Sequence, residues 1–332
     1  MILQQRINDL CRLGDYMLSD DPAWVETKKK ASLENRWFIP EFIELAAKNI
    51  AEHFLAKGEL EQWAKNYRLP SGVKDLKAIG IVMAGNIPMV GFHDLLSVFI
   101  SGHKAMIKTS SKDEVLIRHL VNVLINWDIE ISNLINFSEM LKNCDAYIAT
   151  GSNNTSRYFD YYFGKYPNII RRNKTSVGVL SGKEKKRELE KLADDVCQFF
   201  GLGCRNVTKI YVPAGYDFKP LLMAFEKYNY LADHHKYKNN YDYNLTVHIL
   251  NNKFYMTNGS LLLVEETPVF SPISQLNYEY YTNEDLVLSS LSDNPEIQCI
   301  VGYSGIPFGQ AQSPGLFDYA DRVDTMAFLR SL

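Results

Sequence analysis

Apolar residues recur at helical spacing through residues 1 to 66, first in MILQQRINDLCRLGDYM and again in PEFIELAAKNIAEHFLAKG, where a proline opens the amphipathic run. Between them DDPAWVETKKKASLENRW is polar and predicts a break in this leading helical segment. After LPSG the period changes. KAIGIVMA predicts a buried strand, MVGFHDLLSVFISG a helix, KAMIKT a second strand and DEVLIRHLVNVLINW a second helix. DAYIAT, NTSRYFDYYFGKY, PNIIRR and TSVGVL continue as strand, helix, strand and strand, and KEKKRELEKLADDVCQFF is a charged amphipathic helix. VTKIYVP and GSLLLVEE predict strands around a helical, Tyr-rich middle, in which ADHHKYKNNYDYN reads as loop or helix end.

Strand and helix in alternation predict an α/β protein with doubly wound, mostly parallel sheets, whose ligands lie beyond the carboxyl ends of the strands. A chain of 332 residues allows about two domains, and the boundary falls near 176 to 180. With 46% hydrophobic and 23% charged residues and a formal charge of -3, the composition is that of a globular protein and argues against a general nucleic-acid binder. The N-terminus has no basic start followed by an unbroken apolar run, and stretches such as LLSVFI are too short to span a bilayer. A cytoplasmic protein is expected. Its five cysteines are widely spaced and lack a CxxC pair, which fits reduced thiols better than a disulfide framework or a zinc site.

Cys204 lies in GLGCRN, between small residues and an Arg-Asn pair, after a helix and before a strand. It reads either as a presented nucleophile or as a buried structural thiol. Three loops that follow strands, AGNIPM, KTSSKDE and ATGSNNTS, could meet a nucleotide, although neither GxGxxG nor GxxxxGK[ST] is present. Gly151 and Ser152, at a helix start, offer N–H groups and a hydroxyl to a pyrophosphate, or simply cap the helix. His93, His103 and the His234–His235 pair show no HExxH or comparable spacing, which disfavours zinc. His103, in a turn between a helix and a strand, reads as structural, and the absence of a GxSxG elbow disfavours a serine hydrolase.

In order along the chain stand G-N-I-P-M at 85–89, S-G-H-K-A-M-I-K-T-S at 101–110, A-T-G-S at 149–152, T-S-V-G-V-L at 175–180 and G-L-G-C-R-N at 201–206, followed by the tail P-F-G-Q-A-Q-S-P-G-L-F-D-Y-A-D-R-V-D-T-M-A-F-L. This series resembles the aldehyde dehydrogenase superfamily, and more closely its acyl-CoA reductase branch, the LuxC-like fatty-acyl reductases, over roughly residues 75 to 330. The resemblance implies two lobes, each with a mostly parallel sheet flanked by helices. Residues 1–176 would be the leading helices plus an NAD(P)-binding domain and 177–332 the catalytic cysteine domain, with a C-terminal tail that could return to the first lobe.

On this resemblance Cys204 matches the cysteine that attacks an acyl carbon, Arg205 could lower its pKa, and Gly201 and Gly203 would let the loop approach substrate and nicotinamide. Asn86 matches the oxyanion asparagine; from the residues alone, an asparagine completing a turn before Pro88 reads equally well. Lys108 matches the lysine on the adenosine ribose. Ser111 stands where NAD-preferring members often carry glutamate, and with Lys112 it implies NADPH, with NADH as the alternative; the two could also simply begin a solvated helix. Glu265, in preference to Glu266, matches the glutamate on the nicotinamide ribose. Where hydrolytic members carry a water-activating glutamate stand Arg171, Arg172 and Asn173, so the thioester would await hydride; the arginines could meet phosphates or be solvated surface charge. The expectation is NADPH-dependent reduction of an acyl-CoA to an aldehyde through a Cys204 acyl-enzyme, without a metal or a nucleic-acid partner. An acyl-phosphate reductase, or a non-catalytic nucleotide-binding subunit of a reductase complex, are the alternatives, and a homo-oligomer or a reductase-complex partner stays open.

Overall fold

Four helices precede the first strand: α1 (Leu3–Met17), α2 (Pro22–Glu34), α3 (Pro40–His53) and α4 (Lys57–Asn66). The computed structural model describes residues 1–73 and 75–332. Helix α2 fills the stretch expected to be a break. Asp21 accepts the Ala23 N–H at its N-cap, Pro22 pre-sets the first turn, and Trp24 is wholly buried with its indole N–H donated to the Met17 carbonyl at 3.0 Å. One anchored tryptophan does here what an apolar stripe does in α1 and α3, which is why periodicity overlooked it.

The chain forms two compact units, Met1–Asn173 together with Pro314–Leu332, and Lys174–Ser313. In the first, β1 (Ala78–Val82), α5 (Phe92–Ser101), β2 (Lys104–Lys108), α6 (Glu114–Trp127), β3 (Ile135–Phe137), β4 (Ala146–Thr150), α7 (Asn153–Phe163) and β5 (Asn168–Arg171) follow in turn. The five strands lie in the order β3-β2-β1-β4-β5, all parallel. A parallel sheet needs helical crossovers and is covered on both faces, so β1 is a continuous apolar run with Ile79 and Ile81 fully buried. Gly80 has no side chain for a local reason: a Cβ there would lie 2.7 Å from the Tyr147 ring on β4.

The second unit holds β6 (Thr175–Val179), α8 (Lys186–Cys197), β7 (Val207–Pro213), α9 (Lys219–Ala224), α10 (His235–Leu250), β8 (Met256–Thr257), β9 (Leu262–Glu265), β10 (Gln275–Tyr281), α11 (Glu284–Ser292) and β11 (Ile297–Gly302). Its sheet order is β11-β6-β7-β10-β9-β8, parallel except for the β8–β9 pair. The segment expected to be loop or helix end is most of α10. His234 caps it by accepting the Tyr237 N–H, and the buried face is built from Tyr237 and Tyr241, rings that do not register as an apolar stripe.

The last helix, α12 (Thr325–Arg330), belongs to the first unit. There Arg171 at the end of β5 pairs with Asp94 in the first turn of α5 and donates to the Thr325 hydroxyl at 2.8 Å, with both charged side chains buried. Removing one partner leaves a buried charge uncompensated, which costs about 3–5 kcal/mol, whereas replacing both by apolar residues is often neutral. Arg171→Met or Asp94→Ala alone is expected to lower the urea midpoint accordingly, and Asp94→Leu combined with Arg171→Met to recover most of the loss. A single variant that unfolds at the wild-type midpoint would remove this pair from the architecture.

Candidate active site

Three loops, in chain order, leave the carboxyl ends of β1, β2 and β4, which lie side by side in the sheet. The first carries Asn86, exposed, followed by Met89 in a left-handed conformation with φ 55°. The buried Asp113 holds that turn by accepting the Met89 N–H at 2.6 Å, and burial pushes its carboxyl well above the usual range. Gly85 lets the first two loops touch, since a Cβ there would lie 2.6 Å from the Ser110 hydroxyl. The second loop carries Lys108, Ser111 and Lys112, all exposed, and the neighbouring Glu114 is paired with Arg118.

In the third loop Ser152 is the N-cap of α7, its hydroxyl accepting the Thr155 N–H at 3.3 Å, while the Gly151 N–H is donated to the Arg171 carbonyl. The first unit thus brings Asn86, Lys108, Ser111, Gly151 and Ser152 to one edge of its sheet. Arg171 is not among them: it points inward to Asp94 and Thr325, so it reads no phosphate. Arg172 is exposed and pairs with Asp160 at 2.9 Å. His93 donates to the Leu316 carbonyl among the rings of Phe54, Trp63 and Tyr319, and His103 bridges the Lys77 N–H and the Leu329 carbonyl. Both are architectural.

In the second unit Cys204 is half-buried in the turn between α8 and β7. The chain leaves α8 through three successive left-handed residues, Phe199 (φ 53°), Phe200 (φ 57°) and Gly201 (φ 73°). For a phenylalanine this conformation costs on the order of 1–3 kcal/mol, and burial of both rings offsets it. Asn206, wholly buried, closes the turn. Its amide NH₂ donates to the carbonyls of Asp195 (3.1 Å), Val196 (3.2 Å) and Gln198 (2.8 Å), and its oxygen accepts the Gly203 N–H (2.8 Å). These are carbonyls that the last turn of a helix leaves without intrahelical donors. From β6, the Ser176 hydroxyl donates to the carbonyl of Cys204 itself at 3.1 Å and lies 3.0 Å from the Cys299 sulfur. Burial pushes the thiols of Cys11, Cys144 and Cys197 up, away from the reactive thiolate.

Glu265 is exposed at the end of β9, whereas Glu266 is paired with Lys253. Beyond them the chain folds back: Thr208 donates to the Val269 carbonyl at 2.7 Å, and the buried Lys209 donates to the Thr267 carbonyl at 2.6 Å and pairs with Glu279. The 265–269 segment therefore lies beside the first residues of β7, just past Cys204.

The profile of the acyl-CoA reductase (LuxC) family matches residues 57–222, half of the chain, a span that holds both Asn86 and Cys204. The chain belongs to this family. Among solved structures this acyl-CoA reductase is similar to an aldehyde dehydrogenase of Mycobacterium tuberculosis complexed with NAD+ (11% identity, TM-score 0.66, covering 94% of this chain and 76% of that one). It is also similar to an NADP dependent enzyme of E. coli (11%, 0.66, 91% and 73%) and to an aldehyde dehydrogenase of Physcomitrella patens in complex with the reaction product succinate (10%, 0.65, 92% and 74%). At such identities the likeness is one of fold. No curated protein matches the sequence.

Sequence patterns did not single out Asn206, Ser176, Asp113 or Lys209, the residues that brace these loops in the reductase. Asn206 and Lys209 left a faint signal, as polar residues at and inside an otherwise apolar strand. Asp195 left none. Buried in α8, it accepts the N–H groups of Gly309 (2.6 Å) and Ala311 (2.9 Å), yet desolvation outweighs these donors and pushes its carboxyl from an ordinary 3.8 up to about 7. The folded state therefore keeps this proton longer than the unfolded chain does. Its contribution to stability falls as pH rises from about 4 to about 7, by up to about 1.4 kcal/mol per pH unit, and is constant above. Urea midpoints measured from pH 5 to pH 8 are expected to fall through this window in the wild type and to fall less in Asp195→Asn; parallel curves would contradict the assignment.

Proposed function

We propose that the protein reduces an acyl-CoA thioester to an aldehyde through an acyl-enzyme on Cys204. The Cys204 sulfur attacks the thioester carbon, a new C–S bond forms, the bond to CoA breaks, and CoA leaves as a thiolate that takes up a proton. The Asn86 side-chain amide and the Cys204 backbone N–H donate to the oxygen that bears charge in the tetrahedral intermediate. A reduced nicotinamide, when bound, supplies the hydride that ends on the acyl carbon; the Cys204 C–S bond then breaks, returning the thiolate and releasing the aldehyde. The observation that carries this reading is the thiol itself: half-accessible on a strained, side-chain-braced turn, in a family of acyl-CoA reductases.

Water gains no help in cleaving the acyl-enzyme from positions 171–173, where Arg171 is locked to Asp94 and neither Arg172 nor Asn173 can serve as a base. The residues of the first unit suit a dinucleotide. Lys108 and Ser111 would take the adenosine ribose, and Lys112 favours a 2′-phosphate because the nearby carboxylates do not oppose it: Glu114 is paired and Asp113 is turned inward under burial. NADPH is thus preferred to NADH. The start of α7 at Gly151–Ser152 would face the pyrophosphate, and Glu265 the nicotinamide ribose, since Glu266 is engaged by Lys253. Five cysteines outside any disulfide suit a reducing cytoplasm, and no helix among the described residues is long and apolar enough to cross a membrane.

The test is loss of reduced-cofactor absorbance with a panel of short to long acyl-CoAs, NADPH and NADH side by side. Oxidation should require acyl-CoA, vanish in Cys204→Ala, fall about a hundred- to a thousandfold in Asn86→Ala, and show a lower KM for NADPH than for NADH. Activity only with acyl phosphates, or in Cys204→Ala, would overturn the assignment.

A further inference from the structure

The turn that presents Cys204 is clamped by two side chains that take no part in bond making. On one side the Asn206 amide joins the Gly203 N–H to the carbonyls of Asp195, Val196 and Gln198, so the residue before the cysteine is fixed to the end of α8. On the other the Ser176 hydroxyl holds the carbonyl of Cys204 to β6, and the Ser176 N–H reaches the Asn206 carbonyl at 3.0 Å, which ties the two halves together. Asn206 uses both amide protons and its oxygen, and it has no exposed surface through which to touch a substrate.

A clamp of this kind is needed because the turn is strained. Phe199 and Phe200 both sit in the left-handed region, where a phenylalanine has reason to leave as soon as its surroundings permit. Without the amide, the helix-end carbonyls lose their donors and the Gly203 N–H its acceptor, and the turn is free to relax toward ordinary backbone angles. Cys204 would move with it. Attack on a thioester requires the sulfur within about 3–3.5 Å of the carbon and in line with the carbonyl, and a misplacement near 1 Å can cost roughly a hundredfold in rate.

We propose that Asn206 and Ser176 are positioning residues for the Cys204 thiol, an assignment that rests on Cys204 being the nucleophile. Asn206→Asp preserves size and an acceptor for Gly203 but turns a carboxylate toward three carbonyls; Ser176→Ala removes one hydroxyl and leaves Asn206 in place. The measurement is a single turnover with octanoyl-CoA in the absence of reduced nicotinamide, reading CoA released per folded enzyme by rapid quench, alongside thermal melting and the Kd for NADPH.

The expected result is a CoA-release rate lower by about ten- to a hundredfold in Asn206→Asp and by several-fold in Ser176→Ala, with NADPH affinity unchanged and the protein folded at the assay temperature. A merely structural role would lower the melting temperature and leave the rate per folded molecule at the wild-type value, which would overturn the proposal. If Asn206→Asp does not fold, Ser176→Ala decides alone: slowed release upholds the clamp, and wild-type release removes it. Cys204→Ala separates the two levels of the argument. Release that persists in it refutes the nucleophile itself, whereas its loss together with wild-type rates in both other variants refutes only the positioning role.

Discussion

In the sheet of the first unit every strand runs parallel to its neighbours, so no strand can pass to the next through a hairpin. The chain must cross back each time; α5, α6 and α7 lie on three of these four connections, and residues 138–145 make the fourth, from β3 to β4, without a helix. It follows that the loops after β1, β2 and β4 all emerge at one edge, although their residues are up to 66 positions apart in sequence, from Asn86 to Ser152. The same constraint shapes the second unit, where only the two-residue β8 runs against its partner. The clustering of these three loops at one edge of a parallel sheet is a consequence of the strand pairing and needs no phosphate-loop motif.

Charge is divided between buried groups, which are tied into the architecture, and groups left accessible on the loops. Arg171, with Asp94 and Thr325, joins the end of β5, the start of α5 and the start of α12; Lys209 ties β7 to the 265–269 segment and to Glu279 on β10. Asp113 and Asp195 have lost much of their acidity to burial and serve as acceptors for backbone N–H groups. Exposed on the loops after β1 and β2 are Lys108, Lys112, Ser111 and Asn86, with Glu114 beside them paired to Arg118.

The cysteine turn applies the same division to the backbone. Its strain lies in two buried residues, Phe199 and Phe200, and is offset by their burial and by the amide of Asn206. The thiol therefore sits on a turn that is held from outside rather than by its own preferences. Three of the other cysteines are burdened by desolvation, so selectivity among thiols arises from where the fold puts them.

Alternation of apolar runs with amphipathic periods was enough to reveal the α/β class, and the order of the GNIPM, KTS, ATGS and GLGCRN loops was enough to point to the acyl-CoA reductase family. Those are local patterns, set by the pleat of a strand, the turn of a helix and the residues a tight loop tolerates. Helix α2 and helix α10 were not legible, because their stability comes from Trp24 and from buried tyrosines whose partners lie on other elements. Nor did the sequence foresee Arg171 as a buried pairing residue: its position reads as a phosphate contact or as surface charge, and its burial depends on Asp94 and Thr325, 77 residues before it and 154 after. The chain alone determined which chemical groups stand on which loops. Only the tertiary structure decided which of them are buried, paired or free to react, because solvation and hydrogen-bond partnership belong to neighbours in space, and most of those neighbours are far away in sequence.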